Sequence, residues 1–289
     1  MPADVRYAGM SVDALPDIGS LSTAEIDGLV IRYARAGAAK GTPVLLTAPW
    51  PESIYAFRHV LSRLGAEHPL LAVDLPGFGH SASRPGVMAP EAMGDFVIAL
   101  LAHFQVSQAH AVAPDVGALA VLFAAAKKKD LFKSLALGGA AARPDLAAGV
   151  LNDLIHSPPG TFASIDGAEA VKSYLTDAAR LTPALIVQDF REASAGRRFE
   201  DAVQYVRAYV SDLPKLEMLL PSIDTPVLIV AGRNDPIVPP GNGQFLADRL
   251  PRNRHVLLDA GHRIWEEAPT EYREELVNWI GGGYRLKGK

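Results

Sequence analysis

Three residues sit where short apolar runs break into turns, and their types are those of nucleophilic catalysis: Asp115, Asp235 and His262. The first lies in Ala109–Lys129, AHAVAPDVGALAVLFAAAKKK. A β-type run ends at Ala113, Asp115 follows Pro114, and Val116 and Gly117 open an Ala-rich helix closing on lysines, which suit its negative C-terminal end. The order small residue, any, nucleophile, any, small residue is that of a sharp strand-to-helix elbow, with Asp where Ser is usual. Gly117 answers the close backbone approach that such a turn requires. The competing reading of Asp115 is a plain helix cap. Asp235 lies in PVLIVAGRNDPIVPP, where a buried strand runs out into a turn, and His262 in HVLLDAGHRIWEEAP, where another strand ends ahead of a helix reaching about Ile280. Alone, Asp235 reads equally as a turn residue and His262 as a structural one. Together, all three follow predicted strands, where open α/β sheets place functional groups, and this favours a catalytic set.

The chemistry open to such a set is narrow. A carboxylate is already ionised at neutral pH and needs no base for its first attack. Attack on a saturated carbon bearing an epoxide oxygen or a halide gives an alkyl ester of Asp115, which water can hydrolyse. A serine there would form an inert ether. Attack on a carboxylic ester would instead pass through a reactive anhydride, which disfavours routine esterase or lipase chemistry. His262 is then free to deprotonate the hydrolytic water, with Asp235 fixing its tautomer and stabilising the imidazolium.

The elements that must position these residues are short apolar runs alternating with helical patterns: Leu29–Tyr33, Pro43–Thr47, Leu70–Val73, Ala109–Ala113, Ser134–Leu137, Pro226–Ala231 and Arg254–Leu258. This is the pattern of a mostly parallel sheet flanked by helices. PVLLT and PVLIVAG lack polar alternation, as central strands buried on both faces do. Between about Arg143 and Ser222 only helical segments occur, broken by SPPG and SAG. Ordinary crossovers are much shorter, so the expected organisation is a core over 1–142 and 223–289 with a helical cap over 143–222.

Over roughly Glu25–Ile280 the chain resembles the α/β-hydrolase superfamily, in its epoxide hydrolase and haloalkane or fluoroacetate dehalogenase branch, whose nucleophile is Asp. The order Asp115, Asp235, His262 is that superfamily's nucleophile, acid, histidine order. Asp74-Leu-Pro-Gly-Phe-Gly-His-Ser resembles its turn after an early strand. Ala48-Pro49-Trp50-Pro51-Glu52-Ser53, followed by Tyr55 and Phe57-Arg58-His59, is similar to the epoxide hydrolase stretch HGWPES with its aromatic-Arg continuation. The resemblance implies an oxyanion hole from the N–H groups of Trp50 and Val116, near the helix N-terminus. It also implies a leaving-group acid among the cap tyrosines Tyr174, Tyr205 and Tyr209. One family tyrosine directly precedes an arginine; here Val206 precedes Arg207 and Tyr205 lies one place earlier, about 100° of helix rotation away. Ala48-Pro49 replace the family's His-Gly, and Pro114 its usual His. Val116 stands where many dehalogenases carry Trp or Arg. The insertion has no Trp, so a two-Trp halide cradle is not evident.

The expected function is therefore a cofactor-independent, epoxide hydrolase-like enzyme acting on a small to medium apolar molecule. The alternatives are a dehalogenase and a ligand-binding or biosynthetic protein on a hydrolase scaffold. A chain of 289 residues, 49% hydrophobic with net charge -4 and no dense basic block, has no footprint for nucleic acid or an anionic membrane. With no cysteine, thiolate metal sites and disulfides are excluded, and the eight histidines show no paired ligand spacing, so no metal is expected. The N-terminus lacks an export-type apolar region, which points to a cytoplasmic protein, and no apolar stretch is long enough to span a bilayer. Residues 1–19 are expected to form an arm on the core or on a second subunit of a homodimer.

Overall fold

The computed structural model describes residues 17–285; most of the expected N-terminal arm lies outside them. Eight strands form one sheet: β1 Ser20–Ile26, β2 Leu29–Gly37, β3 Val44–Thr47, β4 Pro69–Val73, β5 Ala109–Pro114, β6 Phe132–Gly138, β7 Val227–Gly232 and β8 Asn253–Leu258. Their spatial order is β1-β2-β4-β3-β5-β6-β7-β8. β1 and β4 pair antiparallel with β2, and every other neighbour is parallel. The central strands β3, β5 and β7 are buried at every residue, which explains their unbroken apolar sequences. β1 was not among the expected strands, because SLSTAEI is an exposed, mostly polar edge. Its local signal is Asp27-Gly28, a two-residue turn with both φ positive, as a type I′ hairpin requires.

Helices α1 Leu61–Gly65, α2 Pro90–His103 and α3 Val116–Lys127 follow β3, β4 and β5, and α10 Gly241–Arg249 joins β7 to β8. After β8 come α11 Ile264–Glu267 and α12 Pro269–Asn278. Between β6 and β7 run α4 Gly149–His156, α5 Gly167–Ala170, α6 Lys172–Ala178, α7 Ala184–Ser194, α8 Arg198–Arg207 and α9 Tyr209–Leu219. In α3 every residue from Val116 to Ala125 is buried. Its small side chains let it lie close to the sheet: a Cβ on Gly117 would sit 2.0 Å from Thr47 Oγ1. The chain runs from β3 outward to β4, then returns to β5 on the other side of β3. The carboxyl ends of β3 and β5 thus flank the topological switch point, where such sheets form their crevice.

One buried charge network ties the insertion to the core. Asp74, at the end of β4, accepts Arg32 Nε (2.6 Å) and the N–H groups of Ile54 (2.9 Å) and His80 (3.0 Å). Gly79 in the same turn has φ +51, and a Cβ there would lie 2.0 Å from Asp74 Cγ, so only glycine fits. From α7, Asp189 reaches Arg32 Nη1 (2.9 Å), Ser53 Oγ (2.5 Å) and His80 Nε2 (3.0 Å). Burial alone would raise the Asp189 pKa, but these donors drive it well below the ordinary carboxylate range. Arg198 of α8 adds bonds to the carbonyls of Gly79 (2.6 Å) and Ser81 (2.8 Å).

The Gly117 contact gives a direct test. Gly117→Ala is expected to lower unfolding free energy in urea by about 1–3 kcal/mol, the usual cost of overpacking. Adding Thr47→Ala, which removes the clashing oxygen, should recover part of that loss; full additivity of the two changes would contradict the contact.

Candidate active site

β5 leads directly into Asp115, whose φ of 52° and ψ of −124° are strained for a residue with a Cβ. The Asp115 N–H donates to the Gly138 carbonyl at 2.7 Å, so the strained turn is fixed to the neighbouring strand β6. The carboxylate Oδ2 accepts the Trp50 N–H at 2.8 Å, and Oδ1 lies 3.7 Å from His262 Nε2. Trp50 follows β3, where the Ala48 N–H still bonds to the Val73 carbonyl at 2.9 Å. Thus Ala48-Pro49 leave the Trp50 donor aimed at the carboxylate. Among the described residues the Val116 N–H has no hydrogen-bond partner, so the structure orients one of the two expected oxyanion donors onto Asp115 Oδ2 and leaves the other open at the head of α3.

Asp235 and His262 come from the loops after β7 and β8. These loops touch through their backbones: a Cβ on Gly232 would lie 1.9 Å from the Gly261 carbonyl oxygen. Asp235 Oδ1 accepts the N–H groups of Ile237 and Val238, both at 2.8 Å, leaving Oδ2 to take His262 Nδ1 at 2.7 Å. The Asp235 side chain is fully buried, and those of Asp115 and His262 are 15% and 11% exposed. Burial opposes charging of His262, but the charge of Asp115 and the hydrogen bond and charge of Asp235 outweigh it and raise the imidazole pKa to about 10.

A cavity of about 120 Å³ opens on Asp115 and His262, with Trp50, Tyr174, Phe199 and Val206 in its wall. The three expected tyrosines separate. Tyr174 lines the cavity and donates its hydroxyl to Glu52. Tyr205 is buried beneath it, donating to the Val116 carbonyl at 2.7 Å, and Tyr209 packs against the Tyr205 ring, 5.8 Å between centroids. Neither lines the cavity, a correction to their expected place in a substrate pocket. On α8 it is Val206 that faces inward, so Tyr205, one residue earlier, is turned away.

Glu52 was not singled out from the sequence. It is fully buried, accepts Tyr174 Oη and Trp265 Nε1 (2.9 Å), and its pKa is raised to about 7 by burial and by the nearby Glu266 carboxylate. Glu266 is held by the Arg58 guanidinium, with Nη1 at 2.5 Å. The only local signal was an acidic residue inside the WPES stretch; its partners lie 122 and 213 residues away. Among the described residues no cluster of His, Cys, Asp or Glu could hold a metal ion, and no helix is long and apolar enough to cross a membrane.

The profile of the α/β hydrolase fold family matches residues 42–269. The chain belongs to this family. The α/β hydrolase is 28% identical over 254 residues to a pimeloyl-[acyl-carrier protein] methyl ester esterase of Neisseria meningitidis serogroup B, covering 84% of this chain and 94% of that one. It is 26% identical over 263 residues to an uncharacterized hydrolase of Bacillus subtilis, covering 88% and 96%. Among solved structures, the enol-lactonase of Burkholderia xenovorans superposes with a TM-score of 0.76 at 21% identity, covering 90% of this chain and 100% of that one. A Pseudomonas aeruginosa structure provisionally assigned as an epoxide hydrolase gives 0.81 at 16% identity, covering 94% and 98%. At these identities the structural likeness speaks for the fold alone.

The raised His262 pKa has a consequence for stability. A group whose pKa rises on folding stabilises the native state fully below its ordinary value of 6.5, and that contribution is lost as pH rises through about 10. The melting-temperature advantage of the α/β hydrolase over its His262→Gln variant should therefore shrink between these limits. A difference independent of pH would show that the histidine is not charged in the resting protein.

Proposed function

We propose that this α/β hydrolase opens an epoxide by covalent catalysis, with Asp115 as nucleophile, His262 as base of the second step and Asp235 as its partner. The observation that carries this reading is the division of labour within the Asp115 carboxylate: Oδ2 is tied to the Trp50 N–H, while Oδ1 stands free on the His262 side of the cavity. A carboxylate so held presents one oxygen for in-line attack and keeps the other where negative charge develops when water later attacks the ester carbonyl. The open Val116 N–H at the head of α3 is the second donor for that charge.

The protonation of His262 sets the order of events. While Asp115 is a free carboxylate, its negative charge 3.7 Å from Nε2 helps hold the imidazole protonated. Alkylation neutralises Asp115 and removes that support, so the imidazole can lose its proton and becomes a base once there is an ester to hydrolyse. Water then gives one proton to His262 and attacks the Asp115 carbonyl. Collapse expels the alcohol oxygen, which takes that proton back, and Asp115 regains its carboxylate. The relatives named as an esterase and an enol-lactonase process substrates that a carboxylate nucleophile would turn into an anhydride. Ester chemistry is therefore not carried over to this chain.

We take residues 143–222 as a cap, because α4, α6 and α8 supply cavity wall over Trp50, Asp115 and His262, which follow strands of the sheet. An epoxide is favoured over a halide by Tyr174, whose phenol at the cavity wall can protonate a departing oxygen, a proton that halide release does not need. The order of Asp115, His262 and Asp235, each bonded and oriented, also sets this reading above a purely ligand-binding role.

His262→Gln, incubated with terminal epoxides and haloalkanes, should accumulate an intact-mass adduct that peptide mapping places on Asp115. Asp115→Asn should form none, and turnover by His262→Gln should fall about 100-fold or more. A wild-type enzyme that hydrolyses an epoxide while His262→Gln carries no adduct, or carries it elsewhere, would rule out the covalent route.

A further inference from the structure

Outside the Asp115, Asp235 and His262 set, the most unusual chemistry in the molecule is a carboxyl group with no exposure, one bond behind the cavity wall. Glu52 follows the Trp50-Pro51 loop; one of its oxygens accepts Trp265 Nε1, and the other meets Tyr174 Oη, which donates to the Glu52 carboxylate and accepts from the protonated carboxyl. Tyr174 lines the cavity shared with Asp115, and its hydroxyl is buried away from solvent water. We propose that Glu52 is the proton reservoir for the departing oxygen, acting through Tyr174. This inference rests on the covalent epoxide-opening reading above.

The groups around Glu52 support storage of a proton there. From α11, Glu266 raises the cost of a second negative charge, and Glu266 is itself kept ionised by Arg58, with His59 Nε2 3.8 Å away. Arg263 and the donors Tyr174 and Trp265 work in the opposite sense, but burial and Glu266 outweigh them. The net result is a carboxyl group whose pKa lies at about 7, so that it holds a proton in a substantial fraction of molecules at neutral pH. A tyrosine alone is a poor donor here, because burial and the neighbouring Glu52 push its own pKa far up. A lone Tyr174 giving up its proton would leave a buried phenolate facing a buried carboxylate. Protonated Glu52 removes that difficulty.

The step balances. Asp115 Oδ1 forms a bond to one epoxide carbon as the carbon–oxygen bond breaks, and the oxygen keeps that electron pair. It takes the proton of Tyr174 Oη, Tyr174 Oη takes the proton of Glu52, and Glu52 is left as a carboxylate bonded to the restored phenol. In the second step the water oxygen enters Asp115. One of its protons reaches the alcohol through His262, and the other is released when the Asp115 carboxyl ionises. That released proton replaces the one drawn from Glu52, so one epoxide and one water give one diol. Because Glu52 works through Tyr174, it is a positioning residue and never touches the substrate.

The test uses the alkylation step alone, in the full chain carrying His262→Gln, which traps the ester and removes the histidine titration. Two alkylating probes of matched length, butylene oxide and bromobutane, are followed by the rate of Asp115 adduct formation across pH. Only the epoxide requires a proton. The rate with butylene oxide should fall as pH rises through about 7, where Glu52 loses its proton. Adding Glu52→Gln, which keeps hydrogen-bonding atoms for Tyr174 and Trp265 but has no acid proton, should erase that limb. It should also lower the ratio of epoxide to bromobutane rates about 100-fold. Tyr174→Phe, which opens the same relay at its other end while keeping the Glu52 carboxyl in the chain, should lower the ratio similarly, and it serves if Glu52→Gln does not fold. An unchanged ratio and a retained limb, with adduct still on Asp115, would overturn the role of Glu52 and leave the covalent reading standing. No adduct from either probe in the His262→Gln parent would overturn both.

Discussion

A non-glycine residue held at φ 52° and ψ −124° is costly, at about 1–3 kcal/mol, and persists only where its surroundings leave no alternative. At Asp115 they leave none. On one side β5 is buried along its whole length between β3 and β6; on the other α3 is buried from its first residue. Gly117 lets α3 settle against Thr47, and the bond from the Asp115 N–H to Gly138 fixes the bend between them. The packing of a large apolar core thus holds one polar side chain at the edge of a crevice. The neighbouring loops then supply their groups to a point already defined, with Trp50 from β3 and His262 from β8 meeting the two oxygens of the same carboxylate.

Charge in this protein is divided by environment more than by residue type. Asp189 and Glu52 are both acidic and largely buried, yet their proton affinities move in opposite directions. Asp189 faces Arg32, His80 and Ser53, which stabilise its charge; Glu52 faces Glu266 and apolar surroundings, which oppose it. They are also linked through the chain, since Ser53, the residue after Glu52, donates to Asp189. One short loop therefore carries Trp50 toward Asp115, Glu52 toward Tyr174 and Ser53 toward the insertion.

What was legible in the sequence followed from local rules. Apolar runs marked the central strands because both their faces are covered, and the elbow, the Asp235 turn and the His262 turn carried their own punctuation. The long strandless stretch after β6 was equally plain. The polar edge strand β1 was missed because a strand with little to bury has little hydrophobic signature, although Asp27-Gly28 marked its hairpin. The tyrosines were harder, since which of Tyr205 and Val206 faces the cavity depends on the rotation of α8 against the core. Glu52 and Asp189 were out of reach because their partners are remote: Asp189 meets Arg32 across 157 residues of chain. Spacing within a segment carries no information about such pairs.

The filled position beside Trp50 has a further consequence. In this protein the backbone donor that would receive a substrate carbonyl is already bonded to Asp115 Oδ2, and no hydroxyl stands at the elbow. Fluorophosphonates and related reagents that label hydrolases by phosphonylating an elbow serine find no serine at the elbow and the Trp50 donor already occupied. In a survey built on such reagents this hydrolase would be chemically silent, and on the proposed covalent reading strained three-membered rings that alkylate a carboxylate would be the probes to reveal it.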